Sequence, residues 1–350
     1  MGKLYLDNGY LNIAYIDKVA TSNGCPFRFI IGKRQVGKTY GTLQYMIKED
    51  RRHILMRRTK PELEFLVPDE NNPYRKFDES ISFVNSTPYT MRIIQTVDDY
   101  DNDGTIDKIV GMSCSLSTVA KIRGFDGSIY TDLVYDEFIP ESHIVRIRNE
   151  GDAFLNAYVS ISSNRELENK EPLRAWLLAN TNNINSPILE AFGIIDVVAD
   201  MVRTKKEECI LRDRGIYILI PQSEVISGKR SQTALYKAVG LKSQFAAMSI
   251  GAEFAYNDLS GIGNVDLAQY KPIFTIKTYG GNILVYVHKN GGTIYCTDHI
   301  TVNTRNIYER TDAARRRLLI QYPNIKAYIL RGNARYSSAN VKKNIFDFLC

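Results

Sequence analysis

Gly32-Lys33-Arg34-Gln35-Val36-Gly37-Lys38-Thr39 spells GxxxxGK[ST] in full. A loop of this pattern holds phosphate oxygens on its backbone N–H groups and on the first turn of the helix that follows. Lys38 is placed to reach the β- and γ-phosphates, and Thr39 to give a hydroxyl to Mg²⁺. All eight residues are therefore candidate nucleotide-cradling positions, with ATP and Mg²⁺ as the implied ligands. About a hundred residues downstream, Leu133-Val134-Tyr135 runs into Asp136-Glu137. An apolar strand ending in two carboxylates suits the partner site: Asp136 holds the metal's water shell, while Glu137 orients or deprotonates the attacking water.

Two other acidic patterns carry less. Asp99-x-Asp101-x-Asp103-Gly104 opens like an EF-hand, but the twelfth loop position is Val110 and not the bidentate Glu. The stretch reads as a hairpin turn. Asp101-x-x-Gly104 resembles a GTPase switch, yet no Asn-Lys-x-Asp guanine signature occurs in the chain.

The elements that must position these residues follow from the apolar runs. Phe27–Ile31 precedes the glycine loop as a strand, and a helix is expected from Lys38 to about Lys48. His53–Arg57, Leu133–Tyr135 and Ala175–Ala179 read as further buried strands. Met91–Thr96 and Ile106–Ser113 flank a turn as an antiparallel hairpin. Strands alternating with helices predict a mainly parallel sheet that binds ligands at the strands' C-terminal edge. Beyond Lys205-Lys206-Glu207-Glu208 the order changes to a glycine-turned meander over 273–297, then a basic helix from about Thr304 to Tyr322. The expected division is an ATPase domain at 1–204, a linker at 205–228 and a basic domain at 229–350.

Composition agrees with two soluble domains. The 350 residues are 44% hydrophobic and 24% charged, with a net charge of +6. That charge is unevenly spread: from residue 205 onward 21 Lys and Arg face 11 Asp and Glu, while 24 face 28 before it. A basic second half suggests a polyanion partner, or a solubilising surface. Five scattered cysteines without a CxxC and no apolar run of membrane-spanning length lead to the expectation of a reduced, intracellular protein.

Several segments together resemble the double-stranded DNA-packaging ATPases of phi29-type podophages, compact relatives of the large terminases. They are Arg34 within the glycine loop, Arg57-Arg58-Thr59-Lys60-Pro61-Glu62-Leu63, Tyr135-Asp136-Glu137-Phe138, Asn164-Arg165-Glu166, Leu178-Ala179-Asn180, and the stretch Gly332 to Phe348. The resemblance implies an additional-strand, RecA-like P-loop domain working in a homomeric ring, a pentamer in the family. It implies Asn180 as the γ-phosphate sensor and Arg165 as an arginine finger offered to the neighbouring subunit. Arg34 competes in cis, and Lys121 and Arg123 are weaker trans candidates.

The same resemblance implies a small α+β, RNase H-like second domain. The strand at 273–279 has no Asp or Glu, and Asp298 lacks an obvious carboxylate partner. The expectation is a domain without nuclease carboxylates that holds duplex phosphates through Arg315, Arg316, Arg317, Arg331 and Arg335, with Arg305, Arg310 and Lys326 nearby. The implied setting is the host cytoplasm, with transient docking on the portal or connector of a viral procapsid and a packaging RNA as a further possible partner. A helicase on the same core and an ATP-binding switch are the rival readings. Glu137 speaks against the switch, because a water-activating carboxylate has little purpose without hydrolysis.

Overall fold

The computed structural model of the chain describes residues 3–99, 104–122, 126–141, 144, 147–182, 184, 186–239, 260–278 and 281–350. The chain divides into two compact units, Met1–Phe192 with Asp200–Asn257, and Gly193–Ala199 with Asp258–Cys350.

In the first unit, four short apolar runs become the middle of a sheet: β1 (Phe27–Ile31), β2 (His53–Arg57), β6 (Asp132–Asp136) and β7 (Arg174–Ala179). Nearly every residue in them is buried, as expected for strands covered on both faces. The remaining strands are β3 (Ile81–Thr87), β4 (Thr90–Asp99), β5 (Gly104–Ser115), β8 (Glu208–Leu211) and β9 (Ile216–Leu219). The order among the described residues is β3-β4-β5-β2-β6-β7-β1-β9-β8. From β5 through β9 the pairing is parallel, and β3, β4 and β8 add antiparallel edges.

Side chains alternate across this sheet. Ile30, Leu55, Val134 and Leu178 join Ile16, Leu43 and Met46 from α1 (Ile13–Ser22) and α2 (Lys38–Lys48). On the opposite face Phe29 packs edge-on against Phe138 and Phe192, and Tyr135 stacks on Phe154 of α4 (Glu150–Ser162). The expected hairpin is present as the β4–β5 ladder from Thr90↔Cys114 to Asp99↔Gly104. Its tip, with Asp101 and Asp103, lies outside the described residues.

The expected linker is not one. Residues 208–219 form β8 and β9, and β9 pairs in parallel with β1 from Phe27↔Ile216 to Ile30↔Leu219. All four residues of β9 are buried, but the run is too short to stand out beside the charged Lys205–Glu208 stretch. The first unit continues through α7 (Glu224–Ser231) and α8 (Ala234–Val239), so position 229 does not open the second domain.

The second unit has a five-stranded sheet of order β13-β10-β11-β12-β14. β10 (Tyr270–Thr278), β11 (Gly281–His288) and β12 (Ile294–Thr297) form the expected meander. β13 (Ile307–Glu309) and β14 (Ala334–Tyr336) add parallel edges to β10 and β12. Phe274, Ile276, Val285 and Cys296 pack under Leu318 of α9 (Asp312–Gln321), Ile325 of α10 (Ile325–Leu330), and Ile345 and Phe348 of α11 (Ala339–Leu349). The basic helix starts later than expected. Tyr308 is buried between exposed Ile307 and Glu309, a strand's alternation, and the Thr311 side chain caps the helix only at Ala314 N–H. No helix among the described residues is long and apolar enough to cross a membrane.

Candidate functional site

The glycine loop sits where β1 leaves the sheet and α2 begins. Gly32 N–H donates to the Ala179 carbonyl at 3.0 Å, which pins the loop to the end of β7. A Cβ on Gly32 would lie 2.6 Å from Cδ of Pro221, so only glycine fits there. The loop then passes through left-handed conformations at Gln35 (φ 63) and Gly37 (φ 86) before α2 starts at Lys38. No side chain caps α2, so its first N–H groups are left for an anionic ligand, and the helix dipole points the same way.

Lys38 is buried and its Nζ donates to the carbonyls of Gly32 at 2.9 Å and Lys33 at 2.6 Å, and to Asn180 Oδ1 at 3.1 Å. Burial pulls its pKa from 10.5 to about 7, and the nearby Arg34 guanidinium pulls the same way against the opposing charge of Asp136. Thr39 Oγ1 donates to Asp136 Oδ1 at 2.8 Å. A hydroxyl and a carboxylate side by side at a helix N-terminus are the hard oxygen pair that Mg²⁺ takes while keeping most of its waters.

Glu137 extends past β6 with φ 57, its side chain about half exposed. Arg57, at the end of β2, bridges the two acids: Nη1 lies 2.7 Å from Asp136 Oδ2 and Nη2 2.5 Å from Glu137 Oε2. Burial works against the Arg57 charge, but the two carboxylates outweigh it and hold its pKa above the usual value. Next to it, buried Arg58 donates from Nε to Glu150 Oε1 at 2.7 Å and from Nη2 to Oε2 at 3.1 Å, tying β2 to the start of α4.

Beside the loop opens a cavity of about 740 Å³ lined by Tyr10, Leu11, Ile13, Gln35, Gly37 and Tyr40 among others. Its aromatic walls, adjoining the phosphate loop, have the size and character of a site for a planar base.

The structure thus brings together Gly32, Gly37, Lys38, Thr39, Asp136, Glu137 and Asn180. The other loop side chains point elsewhere. Lys33 donates from Nζ to Ser227 Oγ at 2.8 Å, Arg34 pairs with Glu141, and Val36 is buried with its carbonyl accepting from Leu11 N–H.

Within the chain, Arg165 is buried and turned toward the 128–130 loop. It is 8% exposed, and its Nη2 donates to the carbonyls of Ser128 at 2.9 Å and Tyr130 at 2.5 Å. An Asn-Arg-Glu stretch after a helix reads as surface, and only the packing shows that the guanidinium turns inward to brace the 128–130 loop. Lys121 is exposed on the turn Leu116–Ile122, and Arg123 lies outside the described residues.

In the second unit Arg316, Arg317, Arg331 and Arg335 are exposed and Arg315 is half-buried, with Arg317 lying 5.3 Å from the centre of the Tyr308 ring. None of the five is in an ion pair among the described residues. Arg310, by contrast, is engaged with Asn344 and Asp347. No group of three or more His, Cys, Asp or Glu gathers among the described residues.

Sequence reasoning missed the contacts of Arg57, of Ser227 and of Arg230, whose Nη1 donates to the Arg34 carbonyl at 2.9 Å. Arg57 carries a signal in its position at the end of a strand, but its target depends on β2 lying beside β6. Arg230 and Ser227 lie in a segment whose residues read as a domain boundary.

The podovirus DNA encapsidation protein (Gp16) family matches residues 13–334. The DNA packaging protein of Bacillus phage B103 is 26% identical over 288 residues, 81% of each chain. That of Bacillus phage phi29 is 25% identical over 81% of this chain and 78% of its own. Among solved structures, a chain of the bacteriophage phi29 genome packaging motor assembly shares the fold at a TM-score of 0.65, with 21% identity over 99% of this chain and 98% of that one. A glycine loop between strand and helix, a hydroxyl–carboxylate pair and a second acid at the edge of a parallel sheet fit that kinship, and the chain belongs to the podovirus DNA encapsidation protein (Gp16) family.

Proposed function

We propose that this chain is the ATP-hydrolysing subunit of a motor that drives double-stranded DNA into a procapsid. The observation that carries the reading is the meeting of Lys38, Thr39, Asp136, Glu137, Arg57 and Asn180 at one edge of one sheet. Lys38, now on its own loop's carbonyls, exchanges them for phosphate oxygens when nucleotide fills the loop. Thr39 and Asp136 would hold Mg²⁺, which would supply charge neutralisation to the phosphates. Glu137 positions the attacking water and accepts its proton, and Arg57 sets the direction in which that carboxylate points. Asn180, bonded to Lys38 at the end of β7, registers the change as Lys38 turns away. Gln35, Tyr10 and Tyr40 bound the space for the base.

The second unit we read as an RNase H-like remnant that grips duplex phosphates through Arg315, Arg316, Arg317, Arg331 and Arg335. Their exposure and the basic second half of the chain support this. The likeness to a packaging motor assembly supports a homomeric ring, a pentamer by kinship, docked on a portal in the host cytoplasm, with a packaging RNA as a further partner.

The test is hydrolysis of Mg-ATP by the full chain, with and without long duplex DNA, for the natural protein and Glu137→Gln. The natural chain is expected to hydrolyse ATP faster with DNA. Glu137→Gln should still bind Mg-ATP but lose about a hundredfold or more in turnover. Turnover by Glu137→Gln at the natural rate would remove Glu137 from the chemistry.

A further inference from the structure

The first three residues of the glycine loop are each held by one later segment of the same unit. Gly32 lies against the ring of Pro221. Lys33, 5% exposed, donates from Nζ to Ser227 Oγ at 2.8 Å. The Arg34 carbonyl accepts from Arg230 Nη1 at 2.9 Å. Arg230 is itself 8% exposed, lies 5.0 Å from the centre of the Tyr236 ring, and donates to the Tyr236 hydroxyl. Helix α7 is anchored at its start as well: Ser223 Oγ caps it at Ile226 N–H and donates to the Gly9 carbonyl at 2.7 Å.

A buried guanidinium spending a donor on a loop carbonyl is costly unless that geometry is kept. Here the carbonyl belongs to a loop that must reorganise when its lysine changes partners. Arg230 and Arg34 both add positive charge to the field at Lys38, and the carboxylates of Asp136 and Glu137 oppose them. Phosphate charge arriving in the loop relieves the repulsion among these cations and firms the loop on which Arg230 is seated. Nucleotide occupancy is therefore felt first at Arg34 and next along α7 and α8. In sequence the chain continues from α8 toward residues 258–350.

We propose that Arg230 is a positioning residue that couples occupancy of the glycine loop to the order of residues 224–239, an inference that rests on the ATP reading above. The shared element is the Arg230–Arg34 carbonyl bond, reinforced by the Lys33–Ser227 pair. Replacing Arg230 should leave the phosphate cradle able to bind while cutting its connection to the helix pair.

Hydrogen exchange on the full chain tests this, alone and with Mg²⁺ plus a non-hydrolysable ATP analogue, with affinity measured in parallel by titration calorimetry. In the natural chain the analogue should slow exchange of amides 224–239 by about fivefold or more, the low end of ordinary coupling between sites. Arg230→Ala should bind the analogue within about tenfold of the natural affinity but lose that slowing. Arg230→Lys, which keeps a donor, should retain part of it, a rescue that a purely structural role would not predict for the coupling alone. Slowing that persists in Arg230→Ala overturns the proposal, and so does a natural chain that binds the analogue with no response at 224–239. A natural chain that does not bind the analogue refutes the ATP reading instead. Should Arg230→Ala exchange throughout as an unfolded protein, Ser227→Ala decides: a weakened response supports the coupling, and an undiminished one overturns it.

Discussion

Replacing Lys38 by methionine should abolish nucleotide binding and remove a pH dependence from the stability of the empty protein. The ammonium is buried in a loop that offers it two carbonyls and an amide oxygen, not a full counter-charge. A lysine whose pKa falls from 10.5 to about 7 costs the folded state about 4 kcal/mol at pH 7 and about 2 kcal/mol at pH 9. The sign follows from proton counting. Between about pH 7 and 10.5 the unfolded chain holds a proton on this lysine that the folded chain has shed, so the natural protein gains stability as pH rises. Methionine removes the charge at similar length, at the expense of three hydrogen bonds worth about 1 kcal/mol each. Relative to the natural chain, Lys38→Met is therefore expected to lose about 2 kcal/mol of stability between pH 7 and pH 9. The measurement is urea unfolding at pH 7, 8 and 9 in chelator, without nucleotide, following the tryptophan of the first unit, Trp176. A stability difference that does not change between pH 7 and pH 9 would refute the reasoning, because the titration is what sets it.

Two further outcomes follow from the geometry. Arg165→Ala should destabilise the first unit by about 2–3 kcal/mol through loss of its bonds to the Ser128 and Tyr130 carbonyls, and its folded subunits should turn over ATP no faster mixed with Lys38→Ala subunits than alone. Recovery of turnover in assembled mixtures would show instead that the guanidinium leaves its pocket and acts across a junction. Changing Arg315, Arg316 and Arg317 to alanine should weaken duplex binding at every sequence and flatten its dependence on salt by about 0.9 for each phosphate no longer neutralised; a slope equal to that of the natural chain would place the DNA grip elsewhere.

The candidate nucleotide site was legible in outline because its pattern is local. A glycine loop between a buried strand and a helix needs only contiguous residues, and the strand ending Asp136-Glu137 announces its own acids by the switch from apolar to charged. Thr39 and Asp136 are ninety-seven positions apart, yet each was recognisable from its neighbours, and the sheet only had to bring them to 2.8 Å. The central strands were legible for the same reason: burial on both faces writes a continuous apolar run.

Strand order, by contrast, assigns the roles that no local pattern encodes. Arg57 meets the two acids because β2 lies beside β6. Arg165 turns inward because carbonyls of the 128–130 loop pass beneath it. Residues 208–239 belong to the first unit because β9 fits against β1 and Arg230 against the Arg34 carbonyl. A four-residue buried strand among charged neighbours is too short for its periodicity to be read, and a cation's partner is chosen by the fold. Residue types and their spacing establish which chemistry is present; packing selects which charges serve it and which hold the structure in place.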